Sequence, residues 1–254
     1  MMNLGLSLGI GSQRGGVVAA FDPSSLFASS EEGAWYDPSD LSTVWADTSG
    51  TTPATVGGAV ARIDDKSGNG NHATQATAAA RPILRQDGAL YYLEFDGVDD
   101  RLNAAFALGG EFTHIGGWLS STAGRDIFGL TNSKGSVRHK TSPVGYEFLN
   151  AADNAYIAIA AGDVTASHVI NLFREGTGGT FTGRFNGVET TTSAATYDYT
   201  VHVEGLSIGS STTVSAAGAL SGRFYDGLWI ARELTNEELT NAESYVADKT
   251  GVSL

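Results

Sequence analysis

The chain contains no cysteine. That removes disulfides, thiolate nucleophiles and cysteine-bound metals together, and with them the disulfide-stapled scaffold of many small secreted domains. Positive charge is scarce: 15 Lys and Arg stand against 28 Asp and Glu in 254 residues, a formal net charge of −13. No basic tract exists that could release counterions from a phosphate backbone, so nucleic acid is not an expected partner, and neither is an anionic membrane surface. Long apolar runs are missing as well. The glycine-rich stretch Met1 to Gly11 is too short to cross a bilayer and has no positive residue ahead of it, so no membrane insertion and no secretory signal are expected from it. The five histidines, His72, His114, His139, His168 and His202, form no H-x-x-x-H or H-x-H pair, which speaks against zinc. Phosphate-loop and dinucleotide glycine spacings are likewise missing.

What is present begins with an alternation. Leu4, Leu6, Leu8 and Ile10 are separated by glycine and serine, the period of a strand with one apolar and one small face. A Gly-, Ser- and Ala-rich stretch from Gly15 to Ser30 then leads to Trp35. We read residues 1–33 as an attachment segment and linker, its strand docking on another chain by strand addition, and residues 34–254 as the domain proper. The alternative is a plain first strand of the domain's own sheet.

From Trp35 onward short β runs are punctuated by Gly, Asn, Asp and Ser. The pattern predicts strands over Ala59–Ile63, Tyr91–Phe95, Phe112–Leu119, Asp126–Leu130, Ser136–Lys140, Tyr146–Asn150 and Ala155–Ala160. Further strands are predicted over His168–Arg174, Thr180–Asn186, Val188–Thr192, Leu206–Gly209 and Arg223–Ala231. Asn186-Gly187 predicts a type I′ hairpin turn. Strands at such short intervals without helices between them imply an antiparallel sandwich. One helix is expected, over 235–249, with Thr235 and Glu238 as a capping box, Leu239, Ala242, Tyr245 and Val246 on its buried face, and Gly251 as its C-cap.

Two pairs of motifs carry a family resemblance. Asp65-Lys66-Ser67-Gly68-Asn69-Gly70-Asn71 precedes Phe95-Asp96-Gly97-Val98-Asp99-Asp100, and Leu206-Ser207-Ile208-Gly209 precedes Phe224-Tyr225-Asp226-Gly227-Leu228-Trp229-Ile230. In this order they resemble the concanavalin A-like, laminin-G-type jelly rolls. The resemblance implies an all-β antiparallel sandwich used mostly as a binding module, often for sugars. The leading Leu/Gly segment and the terminal helix resemble parts of phage structural proteins. This second resemblance implies a virion appendage, a tail fibre or head spike, on the surface of a phage or phage-like particle. It would be held to other virion proteins through residues 1–33, form homo-oligomers and touch a bacterial surface glycan.

The candidate chemistry is thin. Glu94, Asp96 and Asp99 approximate the E-x-D-x-x-E array of retaining glycosidases on such folds, but the last acid is one carbon short and Gly97-Val98 reads as a turn. No catalytic residue is therefore assigned. Asp64, Asp96, Asp99 and Asp100 lie near strand ends and are candidate calcium ligands, although no ordered calcium loop is present and no cofactor is required. Tyr197 and Tyr199, in a Thr/Ser/Ala-rich connection, are candidate sugar-stacking residues, whereas Trp118 and Trp229 read as core. The basic stretch Gly135 to Lys140 reads as a charge-protected sheet edge, the alternative being a contact for anionic sugars or neighbouring subunits. The expected function is host-surface adhesion without catalysis. The alternatives are a structural connector of the particle and a polysaccharide-degrading enzyme.

Overall fold

The structure, a computed structural model, describes residues 20–106, 111–130, 135–141, 144–149, 156–161, 166–174, 180–194, 205–210 and 218–254. The anchor residues Leu4, Leu6, Leu8 and Ile10, and Tyr197 and Tyr199, lie outside them. Among the described residues the chain forms two antiparallel sheets and one α-helix.

The first sheet runs β15 (Val188–Ala194), β14 (Thr180–Phe185), β13 (His168–Arg174), β8 (Phe112–Ser120), β17 (Ser221–Ile230), β6 (Leu90–Asp96), β5 (Ile83–Asp87). β17 is long enough to hold two neighbours on one edge: β6 beside Ser221 to Phe224, and β1 (Gly33–Tyr36) beside Gly227 to Ile230. The second sheet runs β12 (Tyr156–Ala161), β11 (Val144–Leu149), β10 (Gly135–Thr141), β9 (Asp126–Leu130), β16 (Leu206–Ile208), β7 (Leu102–Ala104), β4 (Ala73–Thr74), β3 (Arg62–Ile63), β2 (Val44–Trp45). This is the antiparallel β-sandwich that the strand spacing predicts.

Side chains alternate across each strand, so one face of each sheet enters the shared core. Leu93 and Phe95 of β6, Trp118 of β8 and Phe224 of β17 meet Phe128 of β9 and Ile208 of β16 in one buried cluster. The first sheet is apolar on its outer face as well. There Ile115, Val169, Leu228 and Ile230 pack against Ala242, Val246 and Ala247 of helix α1 (Asn236–Thr250). The helix can come this close because β8 carries Gly117, where a Cβ would stand 2.4 Å from Thr250 Cγ2. The helix has the expected ends: Thr235 and Glu238 cap each other's backbone, and Gly251 closes it at φ 73°. The β14–β15 turn has Asn186 at φ 47° and Gly187 at φ 76°, both positive as a type I′ turn requires.

Three expectations need correction. The linker does not run to residue 33: Leu26 and Phe27, with Pro23–Phe27 in a short 3-10 turn capped by Asp22, are buried beneath α1, and Phe21 packs edge-on to Tyr245. Gly- and Ser-rich composition hid three apolar side chains large enough to dock this segment. The basic stretch is not an edge either, because β10 pairs with β9 on one side and β11 on the other. Arg138 there is bound at 2.8 Å to the buried Asp126, and His139 is buried. Ala59–Ile63 is not one strand: Val60 N–H donates to Pro82 O and Ala61 N–H to Trp45 O, so the chain changes partner between them.

Candidate functional site

The Asp65–Asn71 motif is structural. Asp65 Oδ1 accepts from the Trp35 and Ser67 N–H groups, both at 2.9 Å, and Oδ2 accepts from Ser67 Oγ at 2.8 Å and Asn71 N at 2.9 Å. The side-chain amides of Asn69 and Asn71 both donate to Gly33 O, at 3.1 and 2.7 Å. Gly68 and Gly70 supply the positive φ, 93° and 78°, that folds the loop back on β1. The motif's polar side chains are thereby engaged in holding the first strand.

Asp64 leaves the calcium set for a similar reason. It lies 2.6 Å from Arg62, accepts the Trp45 indole N–H at 2.8 Å and faces His72 at 3.0 Å. The other three candidates do converge: carboxylate oxygens of Asp96, Asp99 and Asp100 lie within 4.8 Å of one another. The turn at the end of β6 brings them together. Gly97 takes φ 81°, Val98 N–H donates to Asp96 Oδ1 at 2.8 Å, and Asp96 N–H donates to Asp100 Oδ2 at 3.0 Å. Burial, and then the like charges of Asp96, Asp99 and Glu94, push the Asp100 carboxyl up to about 7 against the pull of the Asp96 N–H. Such a crowded set could hold a hard cation such as calcium, with the turn already engaging one oxygen of Asp96 and one of Asp100.

Asp96 and Asp100 stand at the rim of an open groove of about 500 Å³ on the outer face of the first sheet, over β5, β6, β8 and β17. Its floor carries Arg85, Glu94, Arg223, Ser121 and Ser221. Alternation places Glu94 and Asp96 on this face while Leu93 and Phe95 enter the core. Arg85 Nε lies 2.7 Å from Glu94 Oε2, both about two-fifths exposed. The Arg223 guanidinium is 4.4 Å from the centre of the Tyr92 ring, and that ring leans on Tyr225 at 5.4 Å. β6 ends at Asp96, so Asp99 belongs to the turn and the three acids do not share a strand as the glycosidase array needs.

Among the described residues, the tryptophans and two of the histidines singled out in the sequence are structural. Trp118 and Trp229 are fully buried in the core. His168 bonds Tyr146 OH at 2.7 Å and Ala166 O at 2.8 Å. His114, fully buried, stacks on Trp229 at 4.4 Å, and burial drives its pKa down to about 3 against the pull of the Leu228 carbonyl. Sequence reasoning missed the groove's cationic half. The i, i+2 spacing of Arg223 and Tyr225 on a predicted strand marks one face, but Arg85 lies on β5, which has no clear strand pattern.

No family model matches the chain, and no curated protein matches it in sequence. Solved structures do match in fold. Domain 4 of AbnA, an extracellular arabinanase of Geobacillus stearothermophilus in complex with arabinotriose, aligns at TM-score 0.54 and 13% identity over 84% of this chain and 100% of that one. Trypanosoma rangeli sialidase, in complex with a difluorinated keto-deoxy-nononic acid, aligns at TM-score 0.57 and 12% identity over 89% of this chain and 34% of that one. Botulinum neurotoxin type C, whose passage into cells depends upon interaction with two ganglioside molecules, aligns at TM-score 0.53 and 10% identity over 72% of this chain and 48% of that one. The chain thus spans about half of the neurotoxin structure and a third of the sialidase. At these identities the likeness is one of fold.

Proposed function

We propose that this chain is a non-enzymatic adhesion component of a phage or phage-like particle, whose sandwich contacts bacterial surface glycans through the groove over β5, β6, β8 and β17. The observation that carries the glycan reading is the fold match to an arabinotriose-bound domain along that domain's whole length. The groove's chemistry agrees with it. An Arg85–Glu94 pair and two serine hydroxyls offer donors and acceptors to vicinal sugar hydroxyls, beside an arginine laid on a tyrosine ring. Glu94 is bound to Arg85 at 2.7 Å, and Asp99 lies beyond the end of β6, which favours contact over hydrolysis. The particle reading rests on the Leu4, Leu6, Leu8 and Ile10 alternation, suited to strand addition onto a virion partner, with oligomers of this chain projecting outward.

A glycan array probed with the purified chain and with a version lacking residues 1–14 tests both halves. Binding to a bacterial surface glycan is expected from both proteins, and co-purification with particles from the longer one alone. Array binding by neither removes the glycan reading. Particle attachment that survives the deletion removes the anchor.

A further inference from the structure

A second pocket lies on the same sheet as the groove. A half-open polar cavity of about 170 Å³ is lined by β8, β13, β14, the start of β15 and the first turns of α1. By liquid water's share of volume that is room for about six waters, the scale of one sugar ring and well below a drug-sized pocket. Alternation builds it: Ile170 and Leu172 of β13 and Phe181 of β14 enter the core, so Asn171, Phe173, Thr182 and Arg184 face the helix side. Arg184 is fixed by two parallel bonds to the buried Glu243, Nε to Oε1 at 2.8 Å and Nη2 to Oε2 at 3.0 Å. Asn171 Nδ2 donates to the same Glu243 at 3.4 Å, which sets the direction of the amide. Its Oδ1 is left with no hydrogen-bond partner although Asn171 is only 1% exposed.

A buried amide oxygen of this kind calls for a donor, and the rest of the lining narrows what the donor is. Glu189 and Glu233 add carboxylate acceptors, Thr182 a hydroxyl, and Phe173 an apolar ring. The arginine's charge is already met by Glu243. The lining therefore suits a small uncharged ligand rich in O–H donors with one apolar face, and it repels anions. We infer that this cavity is a binding site for a single neutral hexose residue, separate from the groove. It requires neither calcium nor the groove residues.

Saturation-transfer NMR on the full chain tests the assignment, with glucose, galactose, mannose and N-acetylglucosamine as neutral probes and glucuronate and N-acetylneuraminate as anionic ones. Transfer to at least one neutral sugar is expected, weakened at least tenfold in Asn171→Leu and in Thr182→Val and unchanged in Arg223→Ala. Thr182 is half-buried at the cavity wall, so its variant remains informative if Asn171→Leu does not fold. Transfer that both folded variants leave intact, transfer to anionic sugars only, or no transfer to any probe overturns the inference. Loss in Arg223→Ala alone overturns it while leaving the groove reading in place.

Discussion

Asp226 lies fully buried on β17, where a register shift after Phe224 turns both Tyr225 and Asp226 toward the helix-covered face. Neither of its carboxylate oxygens has a hydrogen-bond partner. Burial and then the charge of Asp37 hold its pKa far above the usual carboxylate range. Lys249 and Lys66 pull the other way, as does the Trp35 indole N–H, which falls short of hydrogen-bond geometry. Asp37 itself is held low despite burial, by Ser39, Lys249 and Lys66. For an acid whose folded pKa is raised, folding takes up a proton at any pH between the unfolded value, about 3.9, and the folded one. Its contribution to stability is therefore fullest below about pH 4 and falls as pH rises. Asp226→Asn removes that dependence. The variant should melt above the native chain at pH 8, with the gap closing toward pH 4; a variant that melts lower at both pH values contradicts this. His114 acts with the opposite sign. Its pKa of about 3 means that its contribution is lost as pH falls from about 6.5, and His139, Asp37 and Glu238, all held low in the fold, add to the same acid-side loss.

At the scale of elements, α1 shows how local rules and packing divide the work. The Thr235 hydroxyl accepts the Glu238 N–H at 3.3 Å, and the Glu238 carboxylate accepts the Thr235 N–H at 2.8 Å. Removing such a cap costs about 1 kcal/mol, so Thr235→Ala should lower the melting midpoint by roughly 2–4 °C. An unchanged midpoint would mean that Arg232, which grips Glu238 at 2.8 Å, already fixes this end of the helix. Elements with a strong local signature were legible in the sequence: this helix, the Asn186-Gly187 turn, and strands such as Asp126–Leu130 and His168–Arg174, whose bounds match the structure. The two-residue strands β2 and β4 were not, because they are too short to alternate and exist only through pairing across the chain. The Asp65–Asn71 motif marked the fold, and its polar groups bind β1. The acid turn was legible as three aspartates in five residues. The groove and the Asn171 cavity were not, because each is assembled from strands far apart in sequence whose outward residues carry no shared pattern.

The whole molecule is a sandwich whose first sheet is covered on both sides, by the second sheet within and by α1 without. The helix covers only part of the outer face, and polar ground remains in the groove over β5, β6, β8 and β17 and in the cavity over β13 and β14. The charge of −13 favours neutral over anionic polymers as partners through repulsion at long range. The central claim is that this face holds glycan and leaves it intact. Affinity electrophoresis through gels cast with host capsular polysaccharide, followed by sizing of the recovered polymer, tests it most directly. The account predicts retardation of the native chain, loss of retardation in a Glu94→Gln, Arg223→Ala double variant, and a polymer of unchanged length. Free migration of the native chain through every host polysaccharide, or a polymer shortened on contact, would contradict it.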